Sequence, residues 1–223
     1  MKRTRLSDRQ LPNYTTGEEI MNMVTHIVGG ALGLTVLVLC VIRAVDRGSV
    51  LSIVGCGLYG ASIVTLYTIS SVYHGLRSGT AKKVLQVIDH CTIYFLIAGT
   101  YTPVLLSAFV PTYPLIGWGL LAAEWMLAVL AAILTAIDLK QYRVFSMICY
   151  IGMGWGIIFF LPQTVKLMTE SGFILLLSGG IAYTIGAILY GVGVKKRWMH
   201  SVFHIFVVIG SLLQFLAIYR YIL

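Results

Sequence analysis

Residues 198–215 read WMHSVFHIFVVIGSLLQF and follow a basic triplet at 195–197. Beyond the two histidines, His200 and His204, the chain continues as an almost unbroken apolar run to its end. An apolar run of about 20 residues that starts beside basic side chains has the length needed to cross the hydrocarbon core of a bilayer. This stretch therefore predicts a transmembrane helix that carries a histidine pair near its charged end.

The composition of the whole chain agrees with this reading. Of its 223 residues, 58% are hydrophobic and only 11% are charged, whereas a soluble domain carries roughly 25% charged residues. We therefore expect a multi-pass protein of the cell membrane. The formal net charge of +8 is expected to reflect membrane topology, not a nucleic-acid surface. The expected partners are membrane lipids, and self-association into a homo-oligomer stays open.

Apolar runs separated by charged or turn-rich breaks predict an all-α fold, a seven-transmembrane helix bundle. The predicted spans are 24–45, 50–76, 85–109, 113–137, 143–163, 172–194 and 198–222. Residues 1–23 form a polar N-terminal tail without the pattern of a cleavable signal peptide. We expect this tail to be cytoplasmic and residues 24–223 to form one transmembrane domain.

The distribution of basic residues predicts the orientation of the bundle. The tail and the second, fourth and sixth loops carry twelve Lys and Arg residues, and the opposite side carries four. By the positive-inside rule, the N-terminus is cytoplasmic and the C-terminus lies outside. The twelve are Lys2, Arg3, Arg5, Arg9, Arg77, Lys82, Lys83, Lys140, Arg143, Lys195, Lys196 and Arg197, and the four are Arg43, Arg47, Lys166 and Arg220.

With this orientation, every histidine of the chain falls in the cytoplasmic half of the membrane, roughly 3–10 Å below the charged boundary. Histidines placed without a shared purpose would be expected on both sides. Ionisable groups inside a membrane are costly and tend to mark function. The five are His26, His74, His90, His200 and His204.

The spacing of these histidines indicates a metal site. His200 and His204 are four residues apart on one helical face, so both imidazoles can reach one ion, and Ser70 and His74 repeat that spacing in the second helix. Three imidazoles with an oxygen ligand or water suit zinc. Asp89, at the same depth, is placed to orient or deprotonate a water there. The alternative is that these side chains are interfacial anchors.

Other features are less specific. His26 and His90 are weaker candidates, since His90 points about 100° away from Asp89 around its helix and suits packing or a supporting hydrogen bond. Glu124, near the middle of the fourth span, fits a structural or a proton-linked role equally well. Pro103 predicts a kink in the third helix.

Glycines and cysteines are expected to serve helix packing. The segment GCGLYG at 55–60 matches a dinucleotide-binding pattern but lacks its strand–turn–helix context. We expect close helix contacts there and at the glycines of 29–33 and 152–156. The cysteines lie singly in apolar runs and are expected to be small buried hydrophobes. They are Cys40, Cys56, Cys91 and Cys149.

Several motifs in order resemble the hemolysin III family, the bacterial branch of the progestin and adipoQ receptor family, whose members are also described as membrane-homeostasis proteins. The resemblance covers nearly all of the chain from Glu18 onward. It rests on GEEIMNMVTHIVGG at 17–30, SSVYHG at 70–75, IDHCTIYFLIAGTYTP at 88–103, GGIAYTIGAILY at 179–190 and HSVFHIFVVIGSLLQF at 200–215.

The resemblance implies a seven-helix bundle with a cytoplasmic N-terminus and a bound zinc ion. In the wider superfamily, which includes adiponectin receptors and alkaline ceramidases, one histidine of the second helix and two of the seventh hold zinc. His74, His200 and His204 match those positions, and Ser70 and Asp89 match the accompanying serine and aspartate. One departure is Gln214, where relatives carry a further histidine.

Three functions follow as hypotheses, and whether the chain is an enzyme stays open. The first is a zinc-dependent intramembrane hydrolase of lipid amide or ester bonds, ceramidase-like by analogy, with Asp89 and Ser70 as catalytic residues. The second is a non-enzymatic membrane-state sensor in which zinc is structural. The third, a cytolytic pore, has the least support because the polar residues gather toward one face.

Overall fold

The structure is a computed structural model that describes residues 4–223, and every regular element in that part of the chain is helical. A π-helical turn, Leu105–Phe109, joins α3 to α4, and a 3₁₀ turn, Gly156–Phe160, joins α6 to α7. The helices are α1 (Thr16–Asp46), α2 (Val50–Gly75), α3 (Thr80–Val104), α4 (Val110–Thr112), α5 (Pro114–Ile137), α6 (Arg143–Trp155), α7 (Leu161–Gly193) and α8 (Met199–Tyr221).

Six helical stretches are long and apolar enough to cross a membrane. Their outer faces are strongly hydrophobic, with Leu115 at 88% and Phe159 at 83% exposure. Soluble monomers rarely show large contiguous apolar surfaces, so these faces fit contact with lipid chains. The predicted all-α membrane class is confirmed. The six are Thr16–Asp46, Val50–Gly75, Thr80–Thr112, Pro114–Ile137, Arg143–Gly193 and Met199–Tyr221.

The longest of these stretches, Arg143–Gly193, reverses direction. Thr169 has φ 65° and ψ 167°, which is not a helical conformation. The indole N–H of Trp155 donates to Thr184 Oγ1 at 3.0 Å although 29 positions separate the two residues. In a continuous helix that separation would be about 44 Å. The chain therefore folds back at Thr169, and segments 143–168 and 170–193 lie side by side.

Helix α1 begins at Thr16, about two turns before the predicted start at residue 24. A capping box explains the early start: the Thr15 side chain accepts from the Glu18 N–H, and the Glu18 carboxylate accepts from the Thr15 N–H. Glu18, Asn22 and His26 are buried along one face. The predicted start was wrong because it followed the apolar run, whereas the first turns bury polar side chains.

Glycines bring α2 into close contact with its neighbours. A Cβ atom on Gly60 would lie 2.5 Å from Leu37 Cα of α1, and one on Gly55 would lie 3.1 Å from Pro103 Cα of α3. Both contacts are to backbone atoms, which cannot move aside as a side chain can. The packing role expected for these two glycines is confirmed.

Other local expectations have mixed outcomes. Nothing lies within 4 Å of a Cβ on Gly57, Gly152 or Gly154, so close packing was wrong for these three. Pro103 stands near the end of α3, just before the π-helical turn, and the kink expected there stays a prediction. Three of the four cysteines are buried, and Cys91 is partly buried.

We predict that Gly60→Ala destabilises the bundle by about 1–3 kcal/mol, because the added methyl group overlaps the backbone of α1. Gly57→Ala is the matched control, since nothing lies within 4 Å of its Cβ in the same helix. That change should be neutral or stabilising by up to about 1 kcal/mol. Thermal unfolding in detergent measures both, and equal effects would contradict the contact.

Candidate metal centre

Helix α8 supplies two imidazoles that face each other. Trp198 stands directly before α8, and its backbone N–H donates to Glu18 Oε1 at 2.6 Å. This bond ties the first turn of α8 to α1. One turn apart, His200 and His204 place their Nε2 atoms 3.0 Å from one another. Two nitrogens bound to one tetrahedral zinc at 2.0–2.1 Å would lie about 3.3 Å apart. The pair is thus close to the geometry of shared metal ligation.

His74, near the end of α2, completes a group of three. The ligand atoms of His74, His200 and His204 lie within 4.8 Å of one another, and all three residues are buried. These are the histidines predicted as metal ligands, and the structure brings them together. The group could therefore hold a metal ion.

A carboxylate fixes the tautomer of His74. Its Nδ1 lies 2.6 Å from Glu19 Oε2. Since an ionised carboxylate only accepts hydrogen bonds, Nδ1 carries a proton, and in the neutral imidazole Nε2 then keeps a free electron pair. His74 Nε2 is buried and has no hydrogen-bond partner. A carboxylate on the remote nitrogen of an imidazole is the usual support of a metal-ligating histidine.

Lys82 holds the same carboxylate from α3. Its ammonium group donates to Glu19 Oε1 at 2.7 Å and to the carbonyl oxygen of Leu76 at 2.9 Å. Lys82 is only 4% exposed. Glu19 therefore links α1, α2 and α3 beside the histidine cluster.

Glu19 and Lys82 were not predicted from the sequence as parts of the site. A signal was present for Glu19, because Glu19, Asn22 and His26 are spaced three and four residues apart and share one face of α1. Asn22 Nδ2 lies 3.4 Å from His74 Nδ1. Lys82 had been counted only as a basic loop residue, and its burial could not be predicted from spacing.

Ser70 and Asp89 lie beside the three histidines but are not members of the three-histidine group. Ser70 is buried one turn before His74 on α2, and its hydroxyl lies within interaction range of the Asp89 carboxylate on α3. Both residues line the same cavity as His200 and His204. The geometry therefore puts a carboxylate and a hydroxyl next to the candidate metal position, and their catalytic roles stay predictions.

The two weaker histidines have different surroundings. His26 stacks on His204 with ring centroids 3.8 Å apart, and neither of its ring nitrogens has a hydrogen-bond partner. His90 Nδ1 lies 2.8 Å from the Gln86 carbonyl oxygen and Nε2 lies 3.1 Å from the Tyr190 hydroxyl. All five histidines therefore gather at one end of the bundle.

A cavity of about 170 Å³ borders four of the five histidines, His26, His90, His200 and His204. Its polar residues near the cluster are His26, Ser70, Asp89, His200 and His204, and most of the rest of its wall is apolar or aromatic from α3, α6, α7 and α8. The site thus combines titratable groups at one end with a hydrophobic chamber. Gln214 lines this cavity too, with its Nε2 donating to the Leu176 carbonyl oxygen.

Tyr14, just before α1, covers the cluster from the end of the bundle. Its ring stacks on His200 with centroids 4.8 Å apart. Burial raises the pKa of Tyr14 well above its ordinary value, so the residue is a neutral phenol at physiological pH. The cluster is thereby shielded from water by an aromatic side chain.

The chain is similar in sequence to several known proteins. The chain is 38% identical to Hemolysin-3 of Bacillus cereus over 206 residues, covering 92% of each chain. It is 36% identical to a Hemolysin-3 homolog of Bacillus subtilis, covering 93% of this chain and 96% of the relative. The human monocyte to macrophage differentiation factor is 26% identical and shares 74% of this chain and 68% of its own. No solved structure matches the chain.

A family model described as Haemolysin-III related matches residues 14–215. That range contains all five histidines, Glu19 and Asp89. It covers most of the chain, and the two bacterial relatives match over nearly their whole length. The chain therefore belongs to the haemolysin III family of membrane proteins.

Proposed function

We propose that this membrane protein binds zinc through His74, His200 and His204 and hydrolyses amide or ester bonds of membrane lipids as part of membrane homeostasis. The observation that carries the proposal is a group of three buried imidazoles, two of which, His200 and His204, line the polar end of an apolar cavity together with Asp89. A lipid could place its acyl chain in the chamber and its carbonyl group at the histidines.

The donor set supports zinc as the metal. Three neutral imidazoles without thiolates suit zinc among common biological metals, and three protein ligands leave one position open for catalysis. Within residues 4–223, the protein offers no hydrogen-bond partner to His74 Nε2. The Nε2 atoms of His200 and His204 lie 3.0 Å apart, as two ligands of one ion would. When bound, zinc would act as a Lewis acid on the substrate carbonyl and the attacking water.

The surrounding side chains would handle the proton. Asp89 would accept a proton from the attacking water as its oxygen bonds to the carbonyl carbon, and the Ser70 hydroxyl would hold Asp89 in position. As the bond to the amine nitrogen or alcohol oxygen breaks, Asp89 would return that proton to the leaving group. The products are a fatty acid and an amine or alcohol, and Asp89 is unchanged.

We also propose seven membrane passes with the N-terminus in the cytoplasm and the C-terminus outside. The reversal at Thr169 supports counting Arg143–Gly193 as two passes. Contacts between the tail, α3 and the α5–α6 loop group the basic residues at one end, as in Lys83 to Ser7 and Thr4 to Asp138. Lys2 and Arg3 of the positive-inside count lie outside the described residues.

Cysteine labelling tests this topology. Asp46→Cys and Arg197→Cys place single exposed thiols at opposite ends of the bundle, and the native cysteines are buried or partly buried. A membrane-impermeant maleimide should label Asp46→Cys in intact cells, and Arg197→Cys only after permeabilisation. The reverse pattern would show that the orientation is opposite to the one proposed. Labelling of both variants in intact cells would place both positions on the outer side and refute the proposed seven-pass topology.

Elemental analysis of the purified protein tests the metal site. We expect near-stoichiometric zinc in the wild type and loss of most of it in His74→Ala and His204→Ala, because each removes one of three ligands. His90→Ala is the matched control, since His90 is outside the three-histidine group, and it should keep its zinc. A wild-type protein without zinc would refute the proposal.

Turnover separates catalysis from a structural metal. Asp89→Asn should keep its zinc content and melting temperature while hydrolysis of lipid amides or esters falls by about 10²–10⁴-fold, the usual worth of a general base. Release of fatty acid by reconstituted protein measures this. Wild-type protein with full zinc and no turnover across both bond types would exclude the hydrolase.

One observation favours a second candidate, a non-enzymatic membrane-state sensor. The histidines and Glu19 connect α1, α2 and α8, so a metal there would couple these helices. In that case His204→Ala should lower thermal stability and no lipid should be hydrolysed under any condition. Pore formation has less support, because the cavity beside the histidines is largely apolar and not a polar path.

A further inference from the structure

A second cavity, of about 690 Å³, lies at the same end of the bundle. The N-terminal segment 4–14 forms one side, and the α5–α6 and α7–α8 connections form the other. We name it the basic vestibule because six cationic residues line it. They are Arg9, Lys140, Arg143, Lys195, Lys196 and Arg197.

Specific bonds hold the N-terminal segment over the vestibule. The Thr4 N–H donates to Asp138 Oδ2 at 2.7 Å, and the Lys83 ammonium group donates to the Ser7 carbonyl oxygen at 2.7 Å. At its other end the segment stacks Tyr14 on His200. The bonded N-terminal segment thus forms a wall of the vestibule. The Tyr14 ring of that segment separates the vestibule from His200 of the candidate metal centre.

Three acidic residues also line the vestibule, Asp8, Glu18 and Asp138, and each accepts hydrogen bonds from neighbouring donors. Asp138 accepts from the backbone N–H groups of Thr4, Lys140 and Gln141, which hold its pKa at about 2, and so it stays ionised. Glu18 accepts from the Thr15 and Trp198 backbone. Among residues 4–223, no ion pair involves any of the six cations. Arg9 Nε is buried without a partner. With six cationic and three acidic side chains in its lining, the vestibule has an excess of positive charge that suits an anion.

The vestibule and the apolar cavity share a wall. Met147, Tyr150, His90 and Tyr190 line both. The wall is held by hydrogen bonds, from the Tyr150 hydroxyl to the His90 carbonyl oxygen at 2.8 Å and between His90 Nε2 and the Tyr190 hydroxyl at 3.1 Å. Arg143 lies within electrostatic range of Tyr190. An amphiphilic molecule that extends past this wall would place its hydrocarbon chain in the apolar cavity and its polar headgroup among the cations of the vestibule.

We propose that the substrates are lipid amides or esters whose leaving portion carries an anionic group, phosphate or carboxylate, which binds in the basic vestibule. This rests on the proposed hydrolase function. The acyl chain lies in the apolar cavity, the scissile carbonyl lies at the three histidines, and the anion lies beyond Tyr14 and Tyr190, near Arg143 and Lys196. Lipids with a neutral leaving portion lack this last contact.

Binding of matched amphiphiles tests the proposal without requiring turnover. The probes are N-dibromostearoyl glycine against its methyl ester, and N-dibromostearoyl ethanolamine phosphate against the unphosphorylated amide. Bromine quenches tryptophan at short range, and Trp155 lines the apolar cavity. We expect each anionic probe to bind about tenfold more tightly than its neutral partner at equal ionic strength, since a charge-assisted hydrogen bond is worth about that factor. Trp155→Phe should remove most of the quenching.

Two variants locate the anion. The double variant Arg143→Gln/Lys196→Gln should lose the preference for the anionic probes and bind the neutral ones as the wild type does. Both residues are exposed, so the fold should tolerate the change. Arg77→Gln is the matched control, an exposed cation at the same end that does not line the vestibule, and it should keep the preference. Equal loss in Arg77→Gln would overturn the proposal in favour of general surface charge.

Two further measurements distinguish a failure of this proposal from a failure of the proposed hydrolase function. Protein stripped of metal by a chelator should keep its preference for anionic probes, so a failure of zinc binding or turnover in the wild type leaves this readout intact. Inorganic phosphate should compete with both anionic probes. If inorganic phosphate protects the wild type against unfolding and yet each probe pair binds equally, the vestibule takes a free anion and the lipid proposal is overturned.

Discussion

The arrangement of the site depends on one carboxylate that is shared by an imidazole and a buried ammonium group. Glu19 is bonded to His74 and to Lys82, and so it joins α1 to α2 and α3. Lys82 is buried whereas Glu19 is partly exposed, so loss of the Glu19 carboxylate would leave the Lys82 ammonium group buried without a counter-charge, which is destabilising. The same carboxylate sets the tautomer of His74. The contact between Glu19 and His74 therefore contributes both to helix packing and to the tautomer that a metal-ligating His74 needs.

Two cavities of different character meet at this cluster. On one side is an apolar chamber within the bundle, and on the other is a water-facing space lined by cations. Tyr14, His90 and Tyr190 stand between them. For the lipid substrate proposed above, this division would give distinct surroundings for the acyl chain, the carbonyl group and the headgroup. It also explains why the histidines lie at the end of the helices and not at their middle.

Much of the fold was predictable from the sequence, because long apolar runs leave few alternatives to membrane helices. The histidine cluster was predictable too, since the spacing of His200 and His204 puts both on one face and the charge distribution puts His74 at the same depth. Glu19 and Lys82 were not predicted, because charged residues next to an apolar run are ordinarily exposed at the membrane surface. Their pairing is a long-range contact between α1 and α3, which no local pattern encodes.

The contrast between Gly60 of α2 and the glycines of α6 bears on which positions accept a side chain. Gly60 presses against the backbone of α1, whereas Gly152 and Gly154 of α6 have nothing within 4 Å of an added Cβ atom, just before a 3₁₀ turn. A side chain at position 60 would therefore push α1 away from α2, and these are the two helices that the contact between Glu19 and His74 joins. A methyl group at position 152 or 154 would enter open space and leave that contact, and with it the orientation of the His74 ring, unchanged.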